Sequence, residues 1–238
     1  MPQNLLYEIN SNHLKNIDIL NQIYENEEDN YYVSLDFSKE FYILQARAGF
    51  ISTSIKLNNI FYLLCEIQFE YAILDFKNLH ISKKVKSLIK KDDFIFRVNH
   101  NIELFFKQLN LYHKNNWLID KYEKLIKDIF YNYKSDDFKI LTFEVYDKND
   151  NLISAEIGYK IEKIYTSLSG FCSKDKKYNN YGKLQLTLTA NYLQNNKFLF
   201  WNLGHPYMNY KFDLGATLLT RKEFLKRWLS SLNVNYSP

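Results

Sequence analysis

The sequence predicts an α+β fold with a mixed β-sheet. Three consecutive segments alternate apolar and polar side chains in the manner of antiparallel strands, at residues 140–146, 152–159 and 164–171. The segments before them place apolar residues at helical spacing, at residues 83–91, 102–109 and 118–133. A helix, an apolar strand and a last helix follow. The predicted order is therefore helices, a three-stranded meander, a helix, a strand and a helix.

Length and composition are consistent with two domains. The chain has 238 residues, of which 46% are hydrophobic and 17% aromatic, so it can bury a substantial core. Residues 31–77 are dense in aromatic and β-branched side chains, and we predict a small N-terminal α+β domain over residues 1–78. Residues 79–238 then form the larger domain.

Several classes of protein are disfavoured by the composition. The sequence has no run of eighteen apolar residues and no visible secretory signal, so we expect a cytoplasmic protein without a membrane partner. Its cysteines, Cys65 and Cys172, lie far apart, which fits a reducing compartment. No group of ligand-type residues has metal-binding spacing, and we expect neither a metal nor a cofactor. The net charge of +4 permits a nucleic-acid partner without requiring one.

The elements follow from local signals, taken in order. A first helix is predicted over residues 12–25, and Ser82 can cap the helix at 83–91. Phe94, Phe96 and Val98 alternate with polar neighbours as a half-buried strand. The segment 183–196 fits both a strand period and a helical period, and its length favours a helix. The chain closes with a strand at 198–203 and a helix that begins with the Thr220–Glu223 capping box.

The stretch from Lys197 to Leu219 is the candidate site. Its apolar strand ends on a polar cluster, Asn202-Leu203-Gly204-His205-Pro206. Polar groups at the carboxyl end of a strand are a common place for a site in an α/β sheet. The alternative is an ordinary turn that leaves the core.

The order of elements in the second part of the chain resembles the acyltransferase fold of the GCN5-related superfamily. The residues also resemble one family, the leucyl/phenylalanyl-tRNA–protein transferases, from about Leu79 to Trp228. The matching pieces, in chain order, are Leu79-His80-Ile81-Ser82, Trp117-Leu118-Ile119, Gly158, Ser169-Gly170-Phe171, Leu214-Gly215-Ala216, Arg221 and Phe224-Leu225. Their order and spacing carry the resemblance. It implies a GCN5-related acyltransferase-like domain that moves an amino acid from tRNA to the N-terminus of an acceptor protein, in the N-degron pathway of protein degradation.

The sequence departs from that family at the candidate site. The family usually has Asp-Cys-Gln where this chain has Asn202-Leu203-Gly204, and Glu-Ser-Met-Phe-Ser where it has residues 168–173. The proposed relay through the Asp and the Gln therefore does not carry over, and the general base is open. The segment around Leu203-Gly204-His205 also resembles arginyl-tRNA–protein transferases. The donor amino acid is consequently unsettled, with a leucine- or phenylalanine-type donor expected first.

Under this resemblance, Asn202 and His205 are the candidate catalytic residues. Asn202 is expected to donate a hydrogen bond to the oxyanion or to orient the amine, and His205 to take the amine proton. A strand-end turn residue and an exposed loop histidine are the alternative interpretations. The candidates for binding the donor side chain or the terminal adenine are Tyr165, Leu168, Ser169, Phe171, Trp201, Met208 and Tyr210, with core packing as the alternative.

Lysines are the candidates for the tRNA backbone, because clustered positive charge attracts phosphates. They are Lys83, Lys84, Lys174, Lys177 and Lys211, and a solvated surface is the alternative for each. Two other functions remain open. One is a coenzyme-A-dependent N-acetyltransferase, which is disfavoured because the loop at 173–182 contains a single glycine. The other is an inactive relative that binds tRNA.

Overall fold

The computed structural model describes residues 6–113, 117–118 and 120–232. Within it the chain divides into two compact units. One unit takes residues 1–71, 117–134 and 219–238, and the other takes residues 72–116 and 135–218. We refer to them as the discontinuous unit and the central unit.

The discontinuous unit contains a four-stranded sheet of β1 (Tyr7–Glu8), β2 (Tyr31–Ser34), β3 (Ile51–Leu57) and β4 (Ile60–Glu66), in the order β1-β2-β4-β3. β1 is parallel to β2, and the other pairs are antiparallel. Its helices are α1 (Ser11–Lys15), α2 (Ile17–Glu25), α3 (Lys39–Arg47), α6 (Asp120–Asn132) and α9 (Arg221–Ser231).

Arg221 connects distant segments of this unit. Its guanidinium donates hydrogen bonds to the backbone carbonyls of Asn26, Asp29, Ile67 and Gln68, and it lies 4.4 Å from the ring centroid of Phe69. A fixed, planar group with five donors is suited to satisfying several carbonyls at once. The first residue of α9 therefore holds together two loops from the beginning of the chain.

The second sheet has seven strands in the order β11-β5-β10-β9-β8-β7-β6. They are β5 (Glu70–Leu74), β6 (Ile95–Val98), β7 (Phe138–Tyr146), β8 (Leu152–Ile161), β9 (Ile164–Cys172), β10 (Phe200–Asn202) and β11 (Thr217–Thr220). β10 is parallel to β9 and antiparallel to β5, so the sheet is mixed. The boundary between the two units falls within β5 and β11.

The helices of the central unit are α4 (Lys83–Lys91), α5 (Ile102–Tyr112), α7 (Tyr181–Asn195) and α8 (Asn209–Asp213). α7 contributes Ala190 and Leu193 to a core that also contains Phe143, Tyr165 and Trp201 from three strands. Burying such aromatic side chains is the main source of stability for this packing.

Most predicted elements are present, including the meander of β7, β8 and β9, the helix chosen for 183–196, and the Thr220–Glu223 capping box. The α+β class with a mixed sheet is confirmed. Two element predictions were wrong. The helix predicted over 12–25 breaks at Asn16, whose side chain caps α2. The strand predicted over residues 198–203 is shorter and spans Phe200–Asn202; Leu199 before it is exposed.

The two compact units do not follow the predicted division at residue 78. α6 and α9 are grouped with the first 71 residues, so the discontinuous unit draws on three stretches of the chain. A separation of function between residues 1–78 and 79–238 stays a prediction. Ile119, in one of the matching pieces, lies outside the described residues, and α6 begins directly after it.

Candidate active site

The site region lies where β10 ends. The parallel pairing of β10 with β9 runs from Phe200 opposite Ile164 to Asn202 opposite Thr166. β9 continues to Cys172, paired with β8 on its other side. Beyond Thr166, one edge of β9 therefore loses its partner strand, and the backbone after Asn202 turns away from it. The end of this pairing defines an opening in the sheet.

Asn202 is buried at the end of β10, with 1% of its surface exposed. Its side-chain oxygen accepts a hydrogen bond from the N–H of Gly204 at 2.9 Å, which forms the turn. Gly204 has φ +71°, a left-handed conformation that glycine adopts without steric cost. The side-chain amide of Asn202 has no hydrogen-bond partner among the described residues. Asn202 is therefore a turn residue that also retains a buried donor.

His205 follows this turn and is half-buried. Its ring stacks on Tyr207, with 4.9 Å between ring centroids and 16° between planes. Its backbone carbonyl accepts a hydrogen bond from the side chain of Lys211. The described contacts fix the position of the loop around His205. Proton transfer by His205 stays a prediction.

Lys211 was predicted to contact tRNA phosphates, and its position argues against that role. The side chain is buried, with 7% of the residue exposed. Its Nζ donates hydrogen bonds to the carbonyl of Leu203 at 2.5 Å and to that of His205 at 2.6 Å. Burial lowers the pKa of Lys211 to about 8, although the nearby Glu156 carboxyl opposes this shift. Lys211 thus ties α8 to the turn that follows Asn202.

Glu156, in the middle of β8, is the ionisable group that the sequence interpretation missed. It is buried, with 6% of its surface exposed. Burial raises the pKa of Glu156 to about 8, while Ser167, Tyr165 and Lys211 oppose the shift. A carboxyl group with a pKa near neutrality, close to a strand end, is typical of functional sites. The available signal was an acidic residue placed between Ala155 and Ile157 in an apolar strand.

The surroundings of Glu156 leave it weakly bonded. Among the described residues it accepts a hydrogen bond from Ser167 Oγ, at the long distance of 3.4 Å, and the Tyr165 hydroxyl lies near enough to help lower its pKa. Ser167 Oγ also accepts a 2.8 Å hydrogen bond from Trp201 Nε1. Tyr165 lies on the same side; its hydroxyl makes no hydrogen bond of normal geometry, but it is close enough to Glu156 for each group to affect the pKa of the other. That hydroxyl occupies the space over Gly158, where an added Cβ would come within 2.5 Å of it.

The residues predicted to bind the donor side chain differ widely in their exposure. Trp201 and Tyr165 are fully buried core residues, and Phe171 packs against Phe105 and Tyr112 of α5. Leu168 and Ser169 lie half-exposed at a register shift between β8 and β9. Met208 is 55% exposed on the surface. Their shared role in binding the donor stays a prediction.

Tyr210 lines a separate small cavity of about 170 Å³, together with His80, Ser82, Lys183, Leu186 and Asp213. The Lys183 ammonium pairs with the Asp213 carboxylate at 2.9 Å. His80 Nδ1 lies 3.0 Å from the backbone carbonyl of Asp213. The charges at this cavity are already matched within the protein, so it offers no uncompensated charge to a ligand.

The other predicted tRNA contacts are exposed lysines. Lys83 and Lys84 lie on the first turn of α4, and Lys174 and Lys177 lie in the loop before α7. Lys177 also forms a loose ion pair with Asp175 at 3.6 Å and lies over the ring of Tyr178. Their exposure is compatible with phosphate contacts and with a solvated surface, so these assignments stay predictions.

Metal-binding clusters and membrane-spanning helices are both absent from the described residues. No group of three or more His, Cys, Asp or Glu side chains in the described ranges is arranged to hold a metal ion. No helix in the part of the chain that the structure describes is long and apolar enough to cross a membrane.

Comparison with solved structures gives matches at low sequence identity and low TM-score. L-PGS from Bacillus licheniformis has 11% identity and a TM-score of 0.37, over 73% of this chain and 52% of that one. A functionally unknown conserved protein from Staphylococcus epidermidis has 12% identity and a TM-score of 0.43. The match covers 87% of this chain and 76% of that one. A GCN5-related N-acetyltransferase from Kribbella flavida has 8% identity and a TM-score of 0.36, over 88% and 73%. The chain thus spans about half the length of the Bacillus protein.

No curated protein sequence matches the chain significantly. One family model does match, that of the leucyl/phenylalanyl-tRNA protein transferases, over residues 73–229. The matched range contains all seven strands of the second sheet except the first residues of β5, and it includes the strand end at Asn202 and the buried Glu156. Because the match covers more than half of the sequence, this chain belongs to the leucyl/phenylalanyl-tRNA protein transferase family, a family of enzymes.

Proposed function

We propose that this chain transfers an amino acid from aminoacyl-tRNA to the N-terminal α-amine of an acceptor protein. The observation that carries the proposal is the family match over residues 73–229. A leucine- or phenylalanine-type donor, a role in N-degron formation and a cytoplasmic location belong to the same proposal. Residues 202–204 differ from the Asp-Cys-Gln that the family usually has. The identity of the donor amino acid is therefore the first point to test.

The reaction needs positioning more than covalent catalysis. The donor is an ester on the terminal adenosine, and the product is an amide, so transfer is favourable overall. Holding a neutral amine against the ester carbonyl supplies a large part of the rate. A hydrogen-bond donor aimed at the developing oxyanion supplies more. The unpartnered amide of Asn202 supports its assignment as such a donor, and His205 is the proposed proton acceptor.

The exposed lysines are proposed to bind the tRNA backbone. Lys83, Lys84, Lys174 and Lys177 extend from the surface of the central unit. Contacts of this kind release counterions, so affinity is expected to fall steeply between low and moderate salt. Lys211 is left out of this group, because its amine is engaged with backbone carbonyls.

The decisive experiment presents the protein with tRNAs charged with labelled Leu, Phe, Arg, Asp or Glu, and with acceptor peptides that differ in their first residue. Transfer of label from one of these donors supports the proposal and identifies the donor. Acetylation of the same peptides from acetyl-CoA, with no transfer from tRNA, would instead support an acetyltransferase. Binding of tRNA without turnover of either kind would indicate an inactive relative.

Variants at the strand end test the assigned roles. Asn202→Ala and His205→Ala are each expected to slow transfer by roughly 10²-fold while tRNA affinity stays close to that of the parent. Single-turnover rates and filter binding measure the two quantities separately. Rates equal to that of the parent in both folded variants would remove these residues from the reaction.

A further inference from the structure

The inference concerns Glu156 and rests on the proposed function. We propose that Glu156 is an amine-binding carboxyl group, which receives a primary α-amine at the opening where β10 separates from β9. The two amines of the proposed reaction, one on the donor amino acid and one on the acceptor, share this chemistry. The experiment below distinguishes them.

The first step is the incomplete hydrogen bonding of Glu156. A carboxylate offers about four acceptor sites, and buried polar groups are normally satisfied. Glu156 is at least nine-tenths buried, yet among the described residues its nearby donors are the Ser167 hydroxyl, at the long distance of 3.4 Å, and the Tyr165 hydroxyl, which does not reach normal hydrogen-bond geometry. Leaving a buried acceptor without partners is costly, which favours a ligand that donates hydrogen bonds.

The second step excludes Lys211 as the internal partner. Lys211 is close enough to Glu156 to influence its pKa. Its ammonium nevertheless donates to the carbonyls of Leu203 and His205. The lysine therefore adds positive potential near the carboxyl group without occupying it.

The third step is the glycine that faces Glu156 from the neighbouring strand. The residue opposite Glu156 on β9 is Gly170. A Cβ at this position would lie 3.0 Å from the Cβ of Glu156 and 2.8 Å from the carbonyl of Ala155. Any side chain at position 170 would crowd the backbone and Cβ of residues 155 and 156, so glycine is required where β9 passes Glu156, and Glu156 retains 6% of its surface exposed.

The fourth step is the chemical match to an α-amine. An ammonium group donates three hydrogen bonds and carries the charge that a buried carboxylate requires. The ordinary pKa of an α-amine is about 7.7–8.0, and burial raises the pKa of Glu156 to about 8. Because the two pKa values are similar, moving a proton between the α-amine and the Glu156 carboxyl group requires little free energy. Other ionisable groups facing Glu156 are Tyr165, Tyr210 and Lys211.

The test replaces the carboxyl group by an amide of the same shape. For Glu156→Gln, KM is expected to rise about 10-fold, since hydrogen bonds to charged groups contribute most to binding. A rise in KM for aminoacyl-tRNA assigns the donor amine, and a rise in KM for the acceptor peptide assigns the acceptor amine. If neither KM changes while transfer continues, the proposal is wrong.

A matched control uses the other buried carboxyl group of this sheet. Glu144 lies on the neighbouring strand β7 and is fully bonded within the protein. Glu144→Gln is expected to lower the melting temperature and to leave both KM values unchanged. The comparison separates loss of an amine site from general damage to the sheet.

A binding measurement remains informative even when no transfer is detected. With ¹³C-labelled glutamate, the Glu156 carboxyl signal is assigned by its absence in Glu156→Gln, and its titration is followed with leucinamide. Leucinamide is expected to lower the titration midpoint, and N-acetyl-leucinamide, which lacks the amine, to leave it unchanged. A protein that transfers no amino acid but shows this difference would overturn only the proposed function. Equal titrations with both probes would overturn the amine site.

Discussion

Glu144 and Glu156 are buried in the same sheet on neighbouring strands, and their surroundings differ sharply. Glu144 on β7 pairs with Ala155, and Glu156 on β8 pairs with Phe143, so the two side chains point to opposite faces of the sheet. Glu144 accepts hydrogen bonds from the N–H groups of His100 and Asn101 and from the hydroxyls of Thr142 and Tyr146. Glu156 accepts one long bond.

The contrast shows how a carboxyl group that stabilises the fold differs from one that is available to bind a ligand. The four donors around Glu144 are close to the beginning of α5, where free N–H groups and the helix dipole favour a negative charge. Glu144 therefore fixes the entry to a helix. Glu156 has no comparable set of hydrogen-bond donors around it. It lies near Asn202, the last residue of β10. Burial alone does not distinguish a structural carboxyl group from an available one. The number of hydrogen bonds that the carboxyl group accepts does distinguish them.

The largest expected effect is the loss of Glu144. Glu144→Ala leaves two backbone N–H groups and two hydroxyls without their acceptor, and we expect unfolding to become easier by about 3 kcal/mol. Urea denaturation followed by circular dichroism measures this change. A loss below about 1 kcal/mol would mean that water replaces the carboxylate and that the contrast with Glu156 is weaker than the contacts indicate.

A smaller loss is expected for Lys211→Met. The substitution keeps most of the side-chain volume and removes the donor to the carbonyls of Leu203 and His205. We expect a destabilisation of about 1–3 kcal/mol, together with faster amide exchange in the turn at 203–205. Native-state hydrogen exchange tests the local effect. Unchanged protection of this turn would show that Lys211 does not hold it.

The pH dependence of stability tests Glu156 directly. Its folded pKa of about 8 lies above the ordinary value, so between pH 5 and 8 the folded state binds the extra proton. Stability should therefore be full at low pH and be lost as the pH rises through this window, by at most about 1.4 kcal/mol per pH unit. Glu156→Gln should remove this slope. Parallel stability curves for the parent and the variant would contradict the unsatisfied state of Glu156.

The smallest effect is expected at the rim of the Glu144 site. The Arg97 guanidinium pairs with Asp150 at 2.7 Å, and Asp150 is 65% exposed in its side chain. Exposed ion pairs contribute little, so Asp150→Asn should change the free energy of unfolding by less than about 1 kcal/mol. Thermal denaturation at low and high salt measures it. A larger loss would mean that the Glu144 site depends on surface charge as well as on its buried donors.

The sequence predicted the secondary structure elements better than it predicted which of them pack together. The alternation in residues 140–171 gave the meander, because strand periodicity is a local property. Length correctly decided the helix that became α7. Asn16 was missed as a helix break, because its capping role depends on the backbone it adopts. The three-part discontinuous unit was not predictable, since nothing local links α6 and α9 to the first 71 residues.

The site shows the same limit. Asn202 and His205 were found because a polar cluster follows an apolar strand. Glu156 was missed because an acidic residue in a strand usually indicates a solvent-facing position, and only the pairing with its neighbours shows that this one is buried. Lys211 was assigned to tRNA because surface and buried lysines look alike in a sequence. Which groups lack partners is a property of the assembled sheet.

The three-part discontinuous unit has a consequence for synthesis on the ribosome. Residues 72–218 supply nearly the whole seven-stranded sheet and emerge before α9. The loops around Asn26, Asp29 and Ile67 must wait for Arg221, which is made 154 to 195 residues later and donates to their carbonyls. At roughly 5–20 residues per second, this delay is on the order of ten seconds. During that interval the nascent N-terminal segment lacks the hydrogen bonds from Arg221. It is then the part of the chain most accessible to proteases and chaperones.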